Sequence, residues 1–338
     1  MKGQRDKIGL LPLRSLIVCF LVALSACSRN EQPNQPMPLA APRYQVVASW
    51  GTKGSAPGEF DQPQGLAVSP EGEVYVSDAG NCRVQVFSSE GRFLRSWGSC
   101  GKEPGQFRKP LDVAIGPRGL VYVADFDLDR VQVFSREGKH RLSWGNSGKK
   151  AGEFSAPLGV AINSEGRVYV TEFYNHRLQV FSAQGKLLGG WGGDGSAEGQ
   201  LHYPVQTTVG PEGSIYVADT HNGRIQKFDS EGKSLAQFGS PGTWKAQFED
   251  PTDIAIDSKG RMHVTDSGNR RLQMLSPTGE YLAEWRLPEV EGPSFNSPVA
   301  IARDNGLTRI LFLFLSFACV SPLAAQVIEA RTRIDGMT

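Results

Sequence analysis

The chain has 338 residues, of which 39% are hydrophobic, 9% aromatic and 21% charged. This composition is too apolar for a disordered chain and supplies enough hydrophobic surface for one large domain or two small ones. The 36 basic and 35 acidic residues leave a formal charge of +1, which argues against a general basic field for nucleic-acid binding.

Residues 1–27 have the pattern of an export signal. Four basic residues within the first 14 precede a run of nine apolar residues, Leu16–Leu24, which is too short to span a bilayer. The run ends in Leu24-Ser25-Ala26-Cys27, which resembles the lipobox of bacterial lipoproteins. The resemblance implies that Cys27 is lipidated and becomes the first mature residue; the alternative is an ordinary cleaved signal that contains a cysteine. Ser28, where Asp is absent, implies in that family an outer-membrane lipoprotein that faces the periplasm of the bacterial cell envelope.

Residues 28–43 contain four prolines among polar residues. A segment of this composition is expected to be extended rather than packed. We interpret it as a tether between a lipid anchor and the domain that begins at residue 44.

Residues 44–305 are dominated by an internal repeat with a constant period of 47 residues. A proline recurs six times, and five acidic residues are each followed five positions later by an arginine. The prolines are Pro63, Pro110, Pro157, Pro204, Pro251 and Pro298; the acid–arginine pairs are Asp78 and Arg83, Asp125 and Arg130, Glu172 and Arg177, Asp219 and Arg224, and Asp266 and Arg271. A fixed period of this length is typical of a repeat architecture.

Each unit contains four short segments with strand periodicity, separated by turn signals such as Pro70-Glu71-Gly72. Four short antiparallel strands form one propeller-sized sheet, which must stack on other copies to bury both faces. The recurring Pro-x-Gly, Val-Tyr-Val-x-Asp, Asn-x-Arg and Trp-Gly patterns resemble NHL repeats. The resemblance implies an all-β, six-bladed β-propeller of four-stranded antiparallel blades. The strand Tyr44–Trp50 would then join the last blade and close the ring.

The repeated acid–arginine pairs flank the turn between the second and third strands. We predict that they are structural, each bonding its own turn and neighbouring backbone, because residues repeated five times rarely supply the uniqueness of a catalytic site. The alternative is a functional acidic or cationic ring.

The positions that break the repeat point to the central channel. The second residue after each repeated proline varies, and it is Asp112, Gln206 and Asp253 in three units, with Gln64 beside the equivalent position in the first. First strands line the channel of a propeller, so these four residues are candidate ligands near its mouth. Carboxylate and amide oxygens suit a hard cation; the alternative is a hydrated channel without a ligand. No other cofactor is predicted.

The five histidines are weighed as zinc ligands because some lyases of this fold hold zinc in the channel. They occupy different registers of the repeat: His140, His176, His202, His221 and His263. A zinc site needs ligands that converge on one point. Because these registers separate the histidines, the sequence predicts no metal site.

Cys82 and Cys100 are the cysteines of the repeat region. Cys82 lies in the turn between the second and third strands, and Cys100 lies in the connection that follows the fourth strand. Both connections emerge on one face of the blade, so an oxidising compartment would permit a disulfide between them; coincidental placement is the alternative.

Residues 306–338 depart from the repeat and form an anomalous apolar tail. Arg309 precedes an apolar run and small residues, which is the pattern of another export signal and would arise from a merged reading frame. The alternatives are that Ile310–Leu315 form the second strand of the last blade, or that the tail is a membrane-associated hairpin.

No phosphate-binding loop, nucleophile elbow or paired-cysteine motif occurs, and no complete repeat contains an inserted loop. The sequence therefore favours a monomeric, envelope-tethered binding or scaffold module with a protein or peptide partner, and no catalytic residue is assigned. The alternative is an envelope hydrolase or lyase that acts on a small substrate at the channel mouth.

Overall fold

The computed structural model describes residues 43–286, 297–303, 309–315 and 325–333. The predicted signal peptide, Cys27 and residues 28–42 of the tether lie outside the described residues. The first described elements are β1 (Arg43–Trp50) and a short parallel pair, β2 (Thr52–Lys53) and β3 (Glu59–Phe60).

Five antiparallel sheets follow, each made of four consecutive strands, and they form propeller blades 1 to 5 in chain order. Blade 1 contains β4 (Pro63–Val68), β5 (Val74–Asp78), β6 (Arg83–Phe87) and β7 (Phe93–Trp97); blade 2 contains β8 (Pro110–Ile115), β9 (Val121–Asp125), β10 (Arg130–Phe134) and β11 (His140–Trp144); blade 3 contains β12 (Pro157–Ile162), β13 (Val168–Glu172), β14 (Arg177–Phe181) and β15 (Leu187–Gly192); blade 4 contains β16 (Thr207–Val209), β17 (Ile215–Asp219), β18 (Arg224–Phe228) and β19 (Ser234–Phe238); blade 5 contains β20 (Pro251–Ile256), β21 (Met262–Asp266), β22 (Arg271–Leu275) and β23 (Tyr281–Arg286). Short 3-10 turns occur at Ala79–Asn81, Pro117–Gly119, Phe126–Leu128 and Thr220–Asn222.

A further four-stranded sheet joins β1 to β24 (Ser297–Arg303), β25 (Arg309–Leu315) and β26 (Ala325–Arg333), in the order β1-β26-β25-β24. All three of its pairings are antiparallel. The sequence predicts six blades of the repeat, whereas the structure shows five blades built from consecutive strands of that repeat. The additional sheet contains the apolar residues 310–315 in β25, which lack the repeated acid and arginine because the repeat stops after residue 304.

The second strand of each blade is buried at every position because it lies in the middle of a sheet that is covered on both faces. The hydrophobic clusters accordingly span neighbouring blades: Val84 and Val86 of blade 1 pack in one cluster with Val113, Val123 and Phe134 of blade 2. Strand alternation sends side chains to both faces, and stacking buries both. None of the described residues forms a helix long and apolar enough to cross a membrane.

The repeated tryptophans fix the distance between neighbouring blades. Trp97, at the end of β7, lies over Gly138, which is in the turn between β10 and β11. The φ angle of Gly138 is +86°. A Cβ atom at Gly138 would come within 2.6 Å of the indole, so only glycine fits there. The same contact recurs between Trp50 and Gly91, so β1 packs on blade 1 as a fourth strand does.

The repeated carboxylates close the turn between the second and third strands. Asp78 is fully buried and accepts hydrogen bonds from Asp61 N at 2.7 Å, Asn81 Nδ2 at 2.9 Å, Arg83 Nε at 2.7 Å and Gln85 Nε2 at 3.1 Å. We call the segment that precedes the first strand of each blade its leading loop; Asp61 belongs to that of blade 1. Arg83 also donates to carbonyl oxygens of this loop, so one buried ion pair ties the turn to the loop.

Four of the five predicted pairs form this contact, at 2.6 to 2.7 Å. Blade 2 is the exception, because Arg130 Nε is buried without a partner and does not pair with Asp125. The predicted bonds to backbone still form: Asp125 accepts from Arg108 N and Lys109 N, and the Arg130 guanidinium donates to carbonyl oxygens of the leading loop. Leu128 replaces the turn asparagine in this blade. It supplies no amide to complete the network.

In blade 2, where the turn asparagine is absent, the leading loop carries a disulfide. In blade 1, Asn81 Nδ2 donates to Gly54 O at 2.9 Å, and the same bond recurs in blades 3 to 5. The equivalent carbonyl in blade 2 belongs to Gly101, which adjoins Cys100. Cys100 is bonded to Cys82 of the preceding turn, with Cα atoms 5.0 Å apart. The covalent bond therefore holds the leading loop that lacks the amide contact.

We predict that an asparagine at position 128 compensates for loss of this disulfide. In the Cys82→Ser, Cys100→Ser background, Leu128→Asn should recover about 1 kcal/mol of the free energy of unfolding, because it restores hydrogen bonds to a buried carboxylate. Urea denaturation measures this value. Leu128→Ala is the control and should recover nothing; equal effects of the two substitutions would contradict the prediction.

Candidate functional site in the channel and on the turn face

The first strands and the turns between second and third strands meet at one end of the blades. In blade 2, Pro110 lies opposite Asp125, and Asp112 lies opposite Ala124. The start of each first strand therefore adjoins the turn that follows the repeated acid. We call the surface made by these turns and the leading loops the turn face.

The first strands line a cavity of about 220 Å³ on the propeller axis. Asp112, Gln206 and Asp253 line it and are 3 to 6% exposed. Asp112 and Asp253 are the first cavity-lining residues of β8 and β20, and Gln206 directly precedes β16. The three therefore lie at the end nearest the turn face. The prediction that Gln64 joins them is wrong: in β4 the residues that line this cavity are Leu66, Ala67 and Val68.

The two channel carboxylates are each hydrogen-bonded to the next sheet along the chain, which is blade 3 for Asp112 and the sheet containing β24 for Asp253. Val160 N donates to Asp112 Oδ2 at 2.7 Å, and Ile301 N donates to Asp253 Oδ2 at 2.8 Å. Burial raises the pKa of Asp112 to about 7, opposed by hydrogen bonds from Val160 and Gln206. Burial and the charge of Asp112 hold the pKa of Asp253 well above its ordinary value. Both groups therefore retain protons more readily than a solvated carboxyl.

Gln206 supplies the one side-chain oxygen in this cavity lining that is buried without a hydrogen-bond partner. Its Oε1 lies 2.1 Å from the point that a Cβ at Gly159 would occupy, so glycine makes room for the amide. Two carboxyls and an amide oxygen form a set of hard oxygen donors. The arrangement can hold a proton near neutral pH or a hard cation.

A second cluster of non-repeated residues lies on the turn face of blades 2 to 4. Phe126 contacts Tyr174, with ring centroids 6.2 Å apart, and Phe173 contacts both Tyr174 at 5.2 Å and Tyr203 at 4.7 Å. Tyr174 is 56% exposed. We call Phe126, Phe173, Tyr174 and Tyr203 the aromatic patch.

The aromatic patch was not predicted from the sequence, although the repeat contains a signal for it. The residue after the repeated acid is small or polar in three blades, Ala79, Thr220 and Ser267, but it is Phe126 and Phe173 in the two between. Comparing each turn position across the blades would have identified this departure.

The prediction that the histidines are separated is wrong for three of the five. His176 lies in the turn of blade 3, His202 in the leading loop of blade 4 and His221 in the turn of blade 4. The rings of His176 and His202 stack with centroids 5.3 Å apart, and those of His202 and His221 are 5.6 Å apart. Residues from different registers meet here because the turn of one blade touches the leading loop of the next.

We predict that Asp112→Asn makes the protein less sensitive to pH. The pKa of Asp112 is about 7 in the folded protein, whereas its ordinary value is 3.8. The carboxyl therefore adds to the free energy of unfolding below pH 4, and this contribution is lost as the pH rises through 7. The stability of Asp112→Asn relative to wild type should therefore rise by more than about 1 kcal/mol between pH 4 and 7. Chemical denaturation at several pH values tests this. Asp127→Asn, at an exposed carboxyl of the same blade, is the control; an identical pH profile for all three proteins would contradict the prediction.

Comparison with curated proteins gives short matches. The human E3 ubiquitin-protein ligase TRIM32 is 42% identical over 69 residues, which cover 20% of this chain and 11% of that protein. The B-box type zinc finger protein ncl-1 of Caenorhabditis elegans is 46% identical over 44 residues, which cover 13% and 5%. The chain thus spans a small part of the length of these relatives.

Comparison with solved structures gives matches over most of the chain. A streptogramin B lyase aligns with a TM-score of 0.58 and 15% identity, over 87% of this chain and 98% of that one. The PQQ-bound aldose sugar dehydrogenase of Streptomyces coelicolor aligns with a TM-score of 0.59 and 12% identity, over 88% and 100%. A putative gluconolactonase aligns with a TM-score of 0.58 and 13% identity, over 87% and 94%. At these identities, the likeness concerns the fold.

The NHL repeat profile matches four stretches of the chain, residues 60–87, 107–134, 154–181 and 201–228. Each stretch begins at the phenylalanine or leucine that precedes the first strand and ends with the third strand of blades 1 to 4. The period, the blade topology and these matches agree, and the chain therefore belongs to the NHL-repeat β-propeller family.

Proposed function

We propose that this protein is a binding module that recognises a protein or peptide partner through the aromatic patch on the turn face. The observation that carries the proposal is the contiguous set of aromatic rings across blades 2 to 4. They occupy positions where other blades carry small or polar residues.

Exposed, rigid aromatic rings supply contact area for a partner at low entropic cost. Tyr174 is more than half exposed and rests on Phe173 and Phe126, so its ring is supported from below. Lys109 Nζ lies 5.0 Å from the Phe126 ring and places a charged group at the edge of the aromatic patch. Aromatic anchors within a polar rim are the usual composition of an interaction surface. A partner segment with apolar or aromatic side chains fits this surface.

We also propose that the module acts at the bacterial cell envelope, as an outer-membrane lipoprotein anchored through Cys27 and a tether of residues 28–43. The support is the lipobox-like Leu24-Ser25-Ala26-Cys27 and the disulfide between Cys82 and Cys100, a bond that persists in oxidising compartments. With β1 in the last sheet, a sixth blade would close the propeller ring, and the proline-rich segment would lead directly into that closure.

A second candidate function is a hydrolase or lyase acting on a small substrate in the channel. It is favoured by the unpartnered Gln206 Oε1 and the two buried carboxyls, which could hold a hard cation. The cavity of about 220 Å³ is smaller than most ligand pockets, which measure roughly 300–1,000 Å³. Both carboxyls are also hydrogen-bonded to the backbone of the next sheet along the chain. The aromatic patch is therefore the stronger candidate.

Panning a random peptide library on the purified protein tests the proposal. Enriched peptides should bind Tyr174→Ala at least tenfold more weakly than wild type, because a hot-spot aromatic contributes more than about 1.4 kcal/mol. Trp244→Ala is the matched control, since Trp244 is 78% exposed but lies in the leading loop of blade 5, outside the patch.

Binding to Trp244→Ala should match wild type within twofold. Peptides that bind Tyr174→Ala as tightly as wild type would contradict the proposal. Loss of binding in Asp112→Asn alone would favour the channel.

A further inference from the structure

Two imidazoles and a carboxylate converge where blade 3 meets blade 4. His202 Nδ1 lies 2.8 Å from Asp194 Oδ1, and His176 Nδ1 lies 3.8 Å from the same oxygen. One potential ligand atom from each of the three residues lies within 4.8 Å of the other two. Ligand atoms on a tetrahedral metal with bonds of about 2.0–2.1 Å are about 3.3 Å apart, so the two measured separations bracket the required value.

The backbone holds these three residues in place. Gly193 N donates to His176 O at 2.7 Å, which fixes the residue before Asp194. His202 N donates to the buried Asp219 carboxylate at 2.7 Å, so the repeated carboxylate network of blade 4 fixes the backbone of His202. His176 is only 14% exposed, and its Nδ1 accepts a hydrogen bond from Tyr203 N in the leading loop of blade 4.

The repeat gives an independent measure of the same geometry. His176 and Asp194 occupy the positions that Cys82 and Cys100 occupy two repeat lengths earlier. In blade 1 this pair is close enough for a disulfide, with Cα atoms 5.0 Å apart. The fold therefore brings these two positions together by its backbone, and blade 3 places a metal-ligating residue type at each.

We propose that His176, Asp194 and His202 form a binding site for one divalent transition metal ion such as Zn²⁺. Mixed nitrogen and oxygen ligands suit zinc or copper rather than calcium or magnesium. Three protein ligands at the partly exposed rim leave a fourth position that faces solvent, beside Tyr203 and His221. Binding through His176 Nδ1 replaces the hydrogen bond that this atom accepts from Tyr203 N at 3.0 Å.

Titration of the purified, chelator-treated protein with Zn²⁺, and with Co²⁺ as a spectroscopic probe, tests the site without reference to any partner. We expect one ion per chain and visible Co²⁺ absorption of tetrahedral type. His176→Asn, Asp194→Asn and His202→Asn should each weaken binding at least tenfold. His140→Asn is the matched control, because His140 lies in blade 2, and should bind as wild type does.

The channel is distinguished by a second control. Asp112→Asn should leave Zn²⁺ affinity unchanged, and excess Ca²⁺ should not displace Zn²⁺. Failure to bind one equivalent of Zn²⁺ in the micromolar range would overturn the proposal, as would equal affinity in His202→Asn, whose thermal melt verifies its fold. Peptide binding through the aromatic patch is a separate measurement, so either result stands without the other.

Discussion

The fold depends on a fully buried carboxylate at the end of the second strand in each blade. Asp78, Glu172, Asp219 and Asp266 are 0% exposed. A buried charge is costly unless it is paired and its remaining lone pairs are satisfied. Each of these carboxylates meets that requirement with an arginine, an asparagine, a glutamine and a leading-loop amide. The same contacts join the end of the second strand to the following turn, the third strand and the leading loop, so the charge fixes the geometry of the turn face.

The turn face can vary in sequence because other contacts hold the blades together. The carboxylate network and the tryptophan–glycine contacts hold the blades, and neither uses the side chain that directly follows the repeated acid. That position is therefore free to be Ala79 in one blade and Phe173 in another. Residues that break the repeat accumulate at such positions, and in blades 2 to 4 they include the aromatic patch and the histidine cluster.

The features that recur in every repeat could be predicted from the sequence, whereas contacts between residues of neighbouring blades could not. The period gave the four strands per blade, the turn role of the acid–arginine pairs and the proximity of Cys82 to Cys100. It did not predict that Arg130 Nε is left without Asp125 as its partner in the one blade where Leu128 replaces the turn asparagine. It separated His176 from His202 because each was assigned to its own blade, whereas they touch across the boundary. Gln64 lies one position before Gly65, the repeat equivalent of Asp112, and it precedes the part of β4 that lines the cavity. In the last sheet, β1 and β24 belong to the repeat, and residues 310–315 of β25 were one of the alternatives for the tail. β26 lies beyond the repeat and had no equivalent from which to be predicted.

Native-state hydrogen exchange tests the central claim that the buried carboxylates hold the turn face together. The amides of Asp61, Ser155, His202 and Glu249 each donate to one of these carboxylates. If the claim is correct, these loop amides exchange with opening free energies close to that of global unfolding, as amides in the second strands do. In Asp266→Ala, the amide of Glu249 should lose this protection while that of Asp61 retains it. Rapid exchange of all four amides in the wild-type protein, at rates typical of exposed loops, would contradict the account.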